Sequence, residues 1–340
     1  MFGNIYGLDL GTYEIKVYDK KQDTLWKEKN AIAIANEKTI FSVGDEAFAM
    51  YEKSPLNIAV VFPMKEGVIS HFYNMQYLLQ NLIKKDQHFM RGSKYIVAVP
   101  TDVTEVEKRA FYDLVVHSTA KAKEVRIVER GIADAIGLGL DVQRSPGLFV
   151  VNLGAETTEL SILAYGGVVL NKMLKFGSVT LDHAIVNSVR YNQEFLIGQL
   201  TAELLRHTFG IQSKIESDSL SVAGRNLLTR IPEQKSISMS LVHAAMKDLM
   251  KGCAHEIHAL LERTPPEVQR NIHKDGIYLT GGLANLKGID VFIENSLGIK
   301  VNITPEPEFC AANGLKKIIS SKELMKITYS MLDENYRWMR

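Results

Sequence analysis

Cysteine is almost absent from this chain: 340 residues carry two, Cys253 and Cys310, far apart and without a partner motif. That argues against a disulfide scaffold and a Cys-based zinc site, and makes a reducing cytoplasm the simplest home. Charge excess is absent too. The 40 Lys+Arg residues balance 39 Asp+Glu, which gives no support for a nucleic-acid partner held by bulk charge. No run approaches the roughly 18 apolar residues of a membrane span. The opening MFGNIYGLDLG has no basic region followed by an apolar core, so no secretory signal is visible. There is no Walker loop and no Gly-x-Ser-x-Gly nucleophile motif.

What is present is an ordinary globular composition, 46% apolar and 23% charged, on a chain long enough for two cores. Residues 4–9 and 15–18 read as strands around the turn GTYE, and a mixed stretch from about 31 to 67 follows, punctuated by Pro63 and Gly67. Phe72, Met75, Leu78, Leu79, Leu82 and Ile83 have helical spacing. KYIVAVP is a buried strand, a helix spans about 104–120, and VRIV, GIADAIGLGL and LFVVNLG repeat strand, helix, strand. A second cycle begins at Val150, with strands near 158–164 and 167–171, helices near 179–192 and 198–209, and a polar strand-like segment at 213–231. A long helix follows Ser238, with Leu241, Val242, Ala245, Met246, Leu249, Met250, Cys253, Ile257, Leu260 and Leu261 on one stripe. Strand-hairpin-helix patterning therefore occurs twice, which implies a duplicated α/β architecture with a cleft between its halves.

Three glycine-bearing turns end three strands: Asp9-Leu10-Gly11-Thr12, Asn152-Leu153-Gly154-Ala155 and Thr280-Gly281-Gly282. Glycine lets the backbone approach closely and adopt positive φ, so turns of the first two kinds can aim several amides at one anion. The third, leading toward a helix, can sit against a nucleoside or phosphate. One such turn alone is weak evidence.

Their order is more specific. IYGLDLGT, VVNLGAETTELSILAYGGVV and GIYLTGGLANLKGID together resemble the actin, chaperone and sugar-kinase superfamily. VVFPMKEGVISHFYNMQYLLQNLIKK, VAVPTDVTEVEKRAFYDLVVHSTAKAKEVRIVERGIADAIGLGL and FLIGQLTAELLRHTFG narrow this to a resemblance to the bacterial actin homologue family MreB, co-linear over about residues 4–318. The resemblance implies an α/β, actin-like (ribonuclease-H-like, duplicated) ATPase fold with two domains flanking a nucleotide cleft. The first would span 1–144 with an outer subdomain at about 31–67, and the second 145–318 with an outer subdomain at about 180–236. A C-terminal extension, 319–340, would follow. It also implies ATP or ADP with Mg2+, and membrane-associated filaments that organise cell-wall synthesis and rod shape. The partners implied are further copies of the chain or an MreB paralogue, cell-shape and cell-wall synthesis membrane proteins, and the anionic inner face of the cell membrane.

Carried over position by position, Asp9, Gly11 and Thr12, with Tyr13 and Glu14 beyond them, match the first phosphate turn, and Asp9 would touch magnesium through water. Gly154, Ala155 and Glu156, with Thr157, match the second. Glu203 and Arg206 match the glutamate and lysine that hold the ribose and purine. Gly281, Gly282, Leu283 and Ala284 match the adenosine turn, although the family usually has a third glycine where Leu283 stands.

Four departures bear on mechanism. The aspartate that orients the magnesium shell is here Asn152, which cannot supply the negative charge a hard cation prefers. The glutamate that positions the attacking water matches Arg130, permanently charged and unable to act as a base; Glu129 precedes it, shifted by one residue. Hydrolysis by the family mechanism is therefore expected to be impaired, and no residue is assigned a catalytic role. Glu156, roughly 4–5 Å from a phosphate at effective ε near 20, would cost about 3–4 kcal/mol, more than a hundredfold in affinity. Lys16, where actin and FtsA-type relatives carry a phosphate-directed lysine, stands with Arg130 as a candidate to offset it. Either Lys16 and Arg130 bind a nucleotide that is turned over slowly or not at all, or Glu14, Lys16, Arg130 and Glu156 pair among themselves and the cleft is permanently empty.

Phe89 and Met90, beside Lys84, Lys85, Arg91 and Lys94, form an apolar wedge flanked by cations that suits an anionic membrane; the alternative is that Phe89 folds back onto its own domain. In the tail, Met325, Tyr329, Leu332 and Tyr336 have helical spacing, which suits a helix docked on a neighbour or on the body; a disordered end is the other reading. His255 and His258 are spaced i, i+3 and not i, i+4, so they read as a helix-face pair and not as zinc ligands. The competing class is a non-polymerising actin-fold adaptor of FtsA or PilM type, recruiting partners to the membrane. The match to both outer subdomains favours MreB over it.

Overall fold

The computed structural model describes residues 3–85, 92–118, 122–211 and 218–332. Two compact units are formed: Met1–Pro146 with Ser161–Met173 and Phe309–Arg340, and Gly147–Leu160 with Leu174–Glu308.

The chain opens as an antiparallel meander, β1 (Ile5–Leu10), β2 (Glu14–Asp19) and β3 (Thr24–Lys29). Three short strands, β4 (Ile32–Ala35), β5 (Thr39–Val43) and β6 (Ile58–Val61), form a small sheet in the order β5-β4-β6, with helix α1 (Asp45–Phe48) between the last two. A ribbon of β7 (Met64–Lys65) and β8 (Val68–Ile69) leads to α2 (Phe72–Lys85), β9 (Lys94–Val99), α3 (Glu105–Ser118), β10 (Glu124–Glu129) and α4 (Arg130–Gly137). β9 joins β1 in parallel and β10 joins β9, giving the order β10-β9-β1-β2-β3. β1, β2 and β9 are each buried at all but their first residue. They are therefore covered on both faces, and they bury the charged Asp9, Lys16 and Asp19 along with their apolar residues.

The second cycle runs through β11 (Leu148–Leu153), β12 (Thr158–Ala164), β13 (Gly167–Leu174), α5 (Ser178–Gln193), β14 (Phe195–Leu196) and α6 (Gln199–Phe209). A hairpin of β15 (Ser219–Asn226) and β16 (Pro232–Ser238) follows, then α7 (Met239–Glu262) and α8 (Pro266–Asp275). β17 (Ile277–Thr280), α9 (Ile289–Leu297), β18 (Val301–Ile303) and α10 (Cys310–Ser320) complete it. The large sheet has the order β13-β12-β11-β17-β18, with β17 parallel to β11 and β18 parallel to β17. It has the plan of the first sheet: a meander on one side of the leading strand, two parallel crossover strands on the other.

The helical stripes read from spacing are buried along their centres, while Phe72, Leu241, Ala245 and Leu249 are half-buried. Met75, Leu78, Leu79 and Leu82 of α2 are at most 1% exposed. On α7, Val242, Met246, Met250, Cys253, Ile257 and Leu261 are buried, and Ser238 caps the helix by accepting from the Leu241 amide at 3.3 Å. α4 lies close against α10: a Cβ added to Gly314 would fall 1.8 Å from the Ala133 carbonyl oxygen, so the two backbones approach as only glycine allows.

The tail corrects one expectation. The spacing of Met325, Tyr329 and Leu332 suggests a helix, but among the described residues after Ser320 only Leu324–Ile327 coils, as one 3-10 turn. Tyr329 is instead extended and pairs with Ile127, its carbonyl accepting from the Ile127 amide at 2.8 Å and its amide donating to the Ile127 carbonyl at 3.1 Å. Arg126 Nε donates to Thr328 Oγ1 at 2.6 Å. β10 is an edge strand with unpaired backbone groups, and satisfying them outweighs a short helix whose nucleation is unfavourable. Residues 328–329 thus dock on the body of the first unit. Tyr336, Trp338 and Met339 lie outside the described residues.

Candidate functional site

In the first unit, β1 and β2 are joined by a turn whose Gly11 amide donates to the Glu14 carbonyl at 3.1 Å. A Cβ at Gly11 would stand 2.6 Å from that oxygen, so the turn requires glycine. Asn30, fully buried, clamps it: its Nδ2 donates to the Gly11 carbonyl at 2.8 Å and its amide to the Tyr13 carbonyl at 2.9 Å. The Tyr13 ring belongs to an aromatic cluster, edge-on to Phe48 and stacked with Phe62. Its part in the turn is therefore its backbone.

Arg130, the first residue of α4, reaches this turn. Its Nε donates to Asp9 Oδ1 at 3.1 Å and its Nη2 to the Leu10 carbonyl at 3.1 Å. The pair is buried, with side chains 8% and 7% exposed. Lys16 lies directly opposite Asp9 in the antiparallel register, and Lys27 opposite Lys16; directly opposed residues project on one face, so the three share it. Glu14 does not pair with Arg130. Its carboxylate takes Lys29 at 2.7 Å and Lys27 at 3.4 Å. Burial pushes the Glu14 carboxyl upward, but the hydrogen bond and charge of Lys29, with Lys16 and Lys27 behind it, outweigh that and hold it below the ordinary carboxylate value. Glu129 accepts from the Tyr329 hydroxyl at 2.7 Å and lies 3.7 Å from Lys108 Nζ.

The second unit builds its turn in the same way. The Gly154 amide donates to the Thr157 carbonyl at 2.9 Å, and a Cβ at Gly154 would stand 2.7 Å from that oxygen. The clamp differs: the Ser178 and Val179 amides at the start of α5 donate to the carbonyls of Gly154 (3.2 Å) and Ala155 (2.9 Å). Asn152 and Glu156 are half-buried.

Asn152 lies beside the third turn. Gly281 has φ +85°, and a Cβ there would meet the Leu153 carbonyl oxygen at 2.4 Å and Asn152 Oδ1 at 2.7 Å. Gly282 is exposed with open space around it, whereas Leu283 and Ala284 are buried at 1% and 3% exposure. Leu283 is thus a core residue of the second unit. Arg206, 2% exposed, makes a bidentate pair with Asp182 of α5, Nε to Oδ1 at 2.7 Å and Nη2 to Oδ2 at 3.2 Å, with Glu203 at 3.7 Å. Burial raises the Asp182 pKa, and the opposing pull of Arg206 does not offset it. Asn30, Lys29 and Asp182 escape a reading of the sequence. The one signal is an acid on the apolar face of α5.

Phe89 and Met90 lie outside the described residues. Among the described residues no group of three or more His, Cys, Asp or Glu is placed to hold a metal ion. Asp9 is engaged by Arg130, and the corresponding residue of the second turn is the neutral Asn152. Neither turn by itself fits a divalent cation, which prefers anionic oxygens.

With this geometry in hand, the comparisons with known proteins agree with one another. The profile of the MreB/Mbl protein family matches residues 3–327. The cell shape-determining protein MreB of Escherichia coli (strain K12) is 35% identical over 323 residues, covering 92% of each chain. Mbl of Bacillus subtilis (strain 168) is 28% identical over 318 residues, 92% of this chain and 95% of that one. MreB5 of Spiroplasma citri, solved bound to ADP, superposes with a TM-score of 0.89 at 25% identity over 95% of this chain and 97% of that one. The MamK double helical filament, at 18% identity, TM-score 0.79 and 94% and 99% coverage, shares the fold. The chain has the actin-like fold and belongs to the MreB/Mbl family of cell shape-determining proteins.

Proposed function

We propose that this protein binds ATP or ADP at its glycine turns and assembles into filaments on the inner face of the cell membrane, where they organise cell-wall synthesis and rod shape. The observation that carries the nucleotide reading is the matched closure of two turns, Gly11 onto Glu14 and Gly154 onto Thr157, one in each unit. Two hairpins built alike in different sequence surroundings share a task, and presenting backbone amides to phosphate is what such turns do. MreB5 of Spiroplasma citri is solved with ADP and with AMPPNP, which supports the same class of ligand here. Filament formation rests on family membership. Hydrolysis is weak on this reading, because Arg130 cannot serve as a base and its guanidinium is bound to Asp9 and Leu10. The partners are other copies of this chain or a paralogue, cell-shape and cell-wall synthesis membrane proteins, and anionic lipid.

Electron microscopy of the purified protein on anionic liposomes, with and without ATP, tests the assembly. Double protofilaments on the liposome surface are expected. Monomers that bind liposomes without assembling would overturn the filament reading in favour of an adaptor of the FtsA or PilM kind.

A further inference from the structure

We infer that the Arg130 guanidinium takes the place of a divalent cation at the first turn, so that the chain binds a nucleoside polyphosphate without magnesium. This rests on the nucleotide reading above and specifies its chemistry.

The first unit alone supplies the argument. A polyphosphate needs positive charge near its oxygens, and proteins provide it either by a metal held on carboxylates or by fixed cations. Asp9 is the acid at the turn, and its Oδ1 accepts from Arg130 Nε within a buried pair. A cation bound at Asp9 would have to displace a buried guanidinium or sit beside it, and like charges at close range in a buried site repel strongly. The guanidinium is itself fixed, because Nη2 is tied to the Leu10 carbonyl and α4 is held tightly against α10. Lys16 and Lys27 project on the same face as Asp9. Lys29 reaches Glu14 and packs 4.0 Å from the Tyr13 ring centroid. Arg130, Lys16, Lys27 and Lys29 thus gather beside Asp9 and Glu14, so the turn carries fixed positive charge without any metal. The Gly11 turn adds its backbone dipoles with the same sign. A fixed, permanently charged guanidinium supplies the positive potential that phosphate oxygens otherwise find in a metal ion.

The test is a fluorescence titration of the full-length protein with a labelled ADP and a labelled ATP, in excess EDTA and again in excess magnesium. The expected dissociation constants agree within about threefold between the two buffers. Manganese provides an independent reading. Its free-ion signal, recorded with nucleotide present, should not fall when protein is added. The variant Arg130→Gln, which removes the fixed charge and frees Asp9, should show the reverse, with magnesium tightening binding by about tenfold or more. Wild-type binding that tightens about tenfold in magnesium, or manganese captured by the wild-type complex, overturns this inference and leaves nucleotide binding intact. Failure to bind in either buffer overturns the nucleotide reading, and this one with it.

Discussion

Arg130 and Asp9, 121 residues apart in sequence, form a buried ion pair with 3.1 Å between Nε and Oδ1. It ties the start of α4 to the end of β1, and so fixes the helix that follows β10 against the turn that follows β1. Both partners are almost sealed from water, which makes the pair costly to break from one side.

Arg130→Ala leaves the Asp9 carboxylate buried and uncompensated and is expected to destabilise the protein by about 3–5 kcal/mol. Removing both charges, as in Arg130→Met with Asp9→Leu, should cost clearly less than the sum of the single changes. Urea unfolding of Arg130→Met, Asp9→Leu, the double variant and the wild type measures the coupling. Additive losses would mean that the two side chains do not depend on each other.

The two turn glycines should respond alike. Gly11→Ala and Gly154→Ala each push a Cβ to within 2.7 Å of a carbonyl oxygen of the same turn, and losses of about 1–3 kcal/mol are expected. Gly282→Ala is the control: it meets nothing within 4 Å, and its effect should stay within about 0.5 kcal/mol. Thermal unfolding of the three variants reads this directly.

Acid should weaken the lysine cluster on β2 and β3. The Glu14 pKa lies below its ordinary 4.5, burial being outweighed by Lys29, Lys16 and Lys27. A carboxylate with a depressed folded pKa contributes stability above the unfolded value and loses it as pH falls through the folded one. The melting temperature of the wild type should therefore drop more steeply below pH 4.5 than that of Glu14→Gln. Equal slopes would show that the Lys29 contact contributes nothing.

Both cysteines should be silent in the folded protein. Cys253 and Cys310 are 4% and 3% exposed, and burial pushes the Cys253 thiol up to about 12. Thiolate is the reactive form, so Ellman's reagent at pH 8 should label neither residue in native protein and both in guanidinium. Rapid labelling of the native protein would show that α7 or α10 opens locally.

Much of the fold is legible in the residue pattern. The period of α2 and α7, the apolar runs of β1 and β9, and the two strand-turn-strand hairpins follow from local spacing and glycine placement. Local rules hold there because each element buries the stripe that its own periodicity creates. At Tyr329 they failed: helical spacing was present, yet the unpaired edge of β10 claimed the backbone.

The site divides in the same way. The sequence by itself determined the turns, because Gly11 and Gly154 can close onto Glu14 and Thr157 only without a side chain. It also placed an arginine and an asparagine where acids were expected. Only the tertiary structure decided which charge meets which: Arg130 takes Asp9, Glu14 turns to Lys29 and Lys27, and Arg206 is committed to Asp182. Such pairings join residues on different elements, and no periodicity encodes them. They are set by which side chains are left beside one another, short of water, once the sheets and helices have packed.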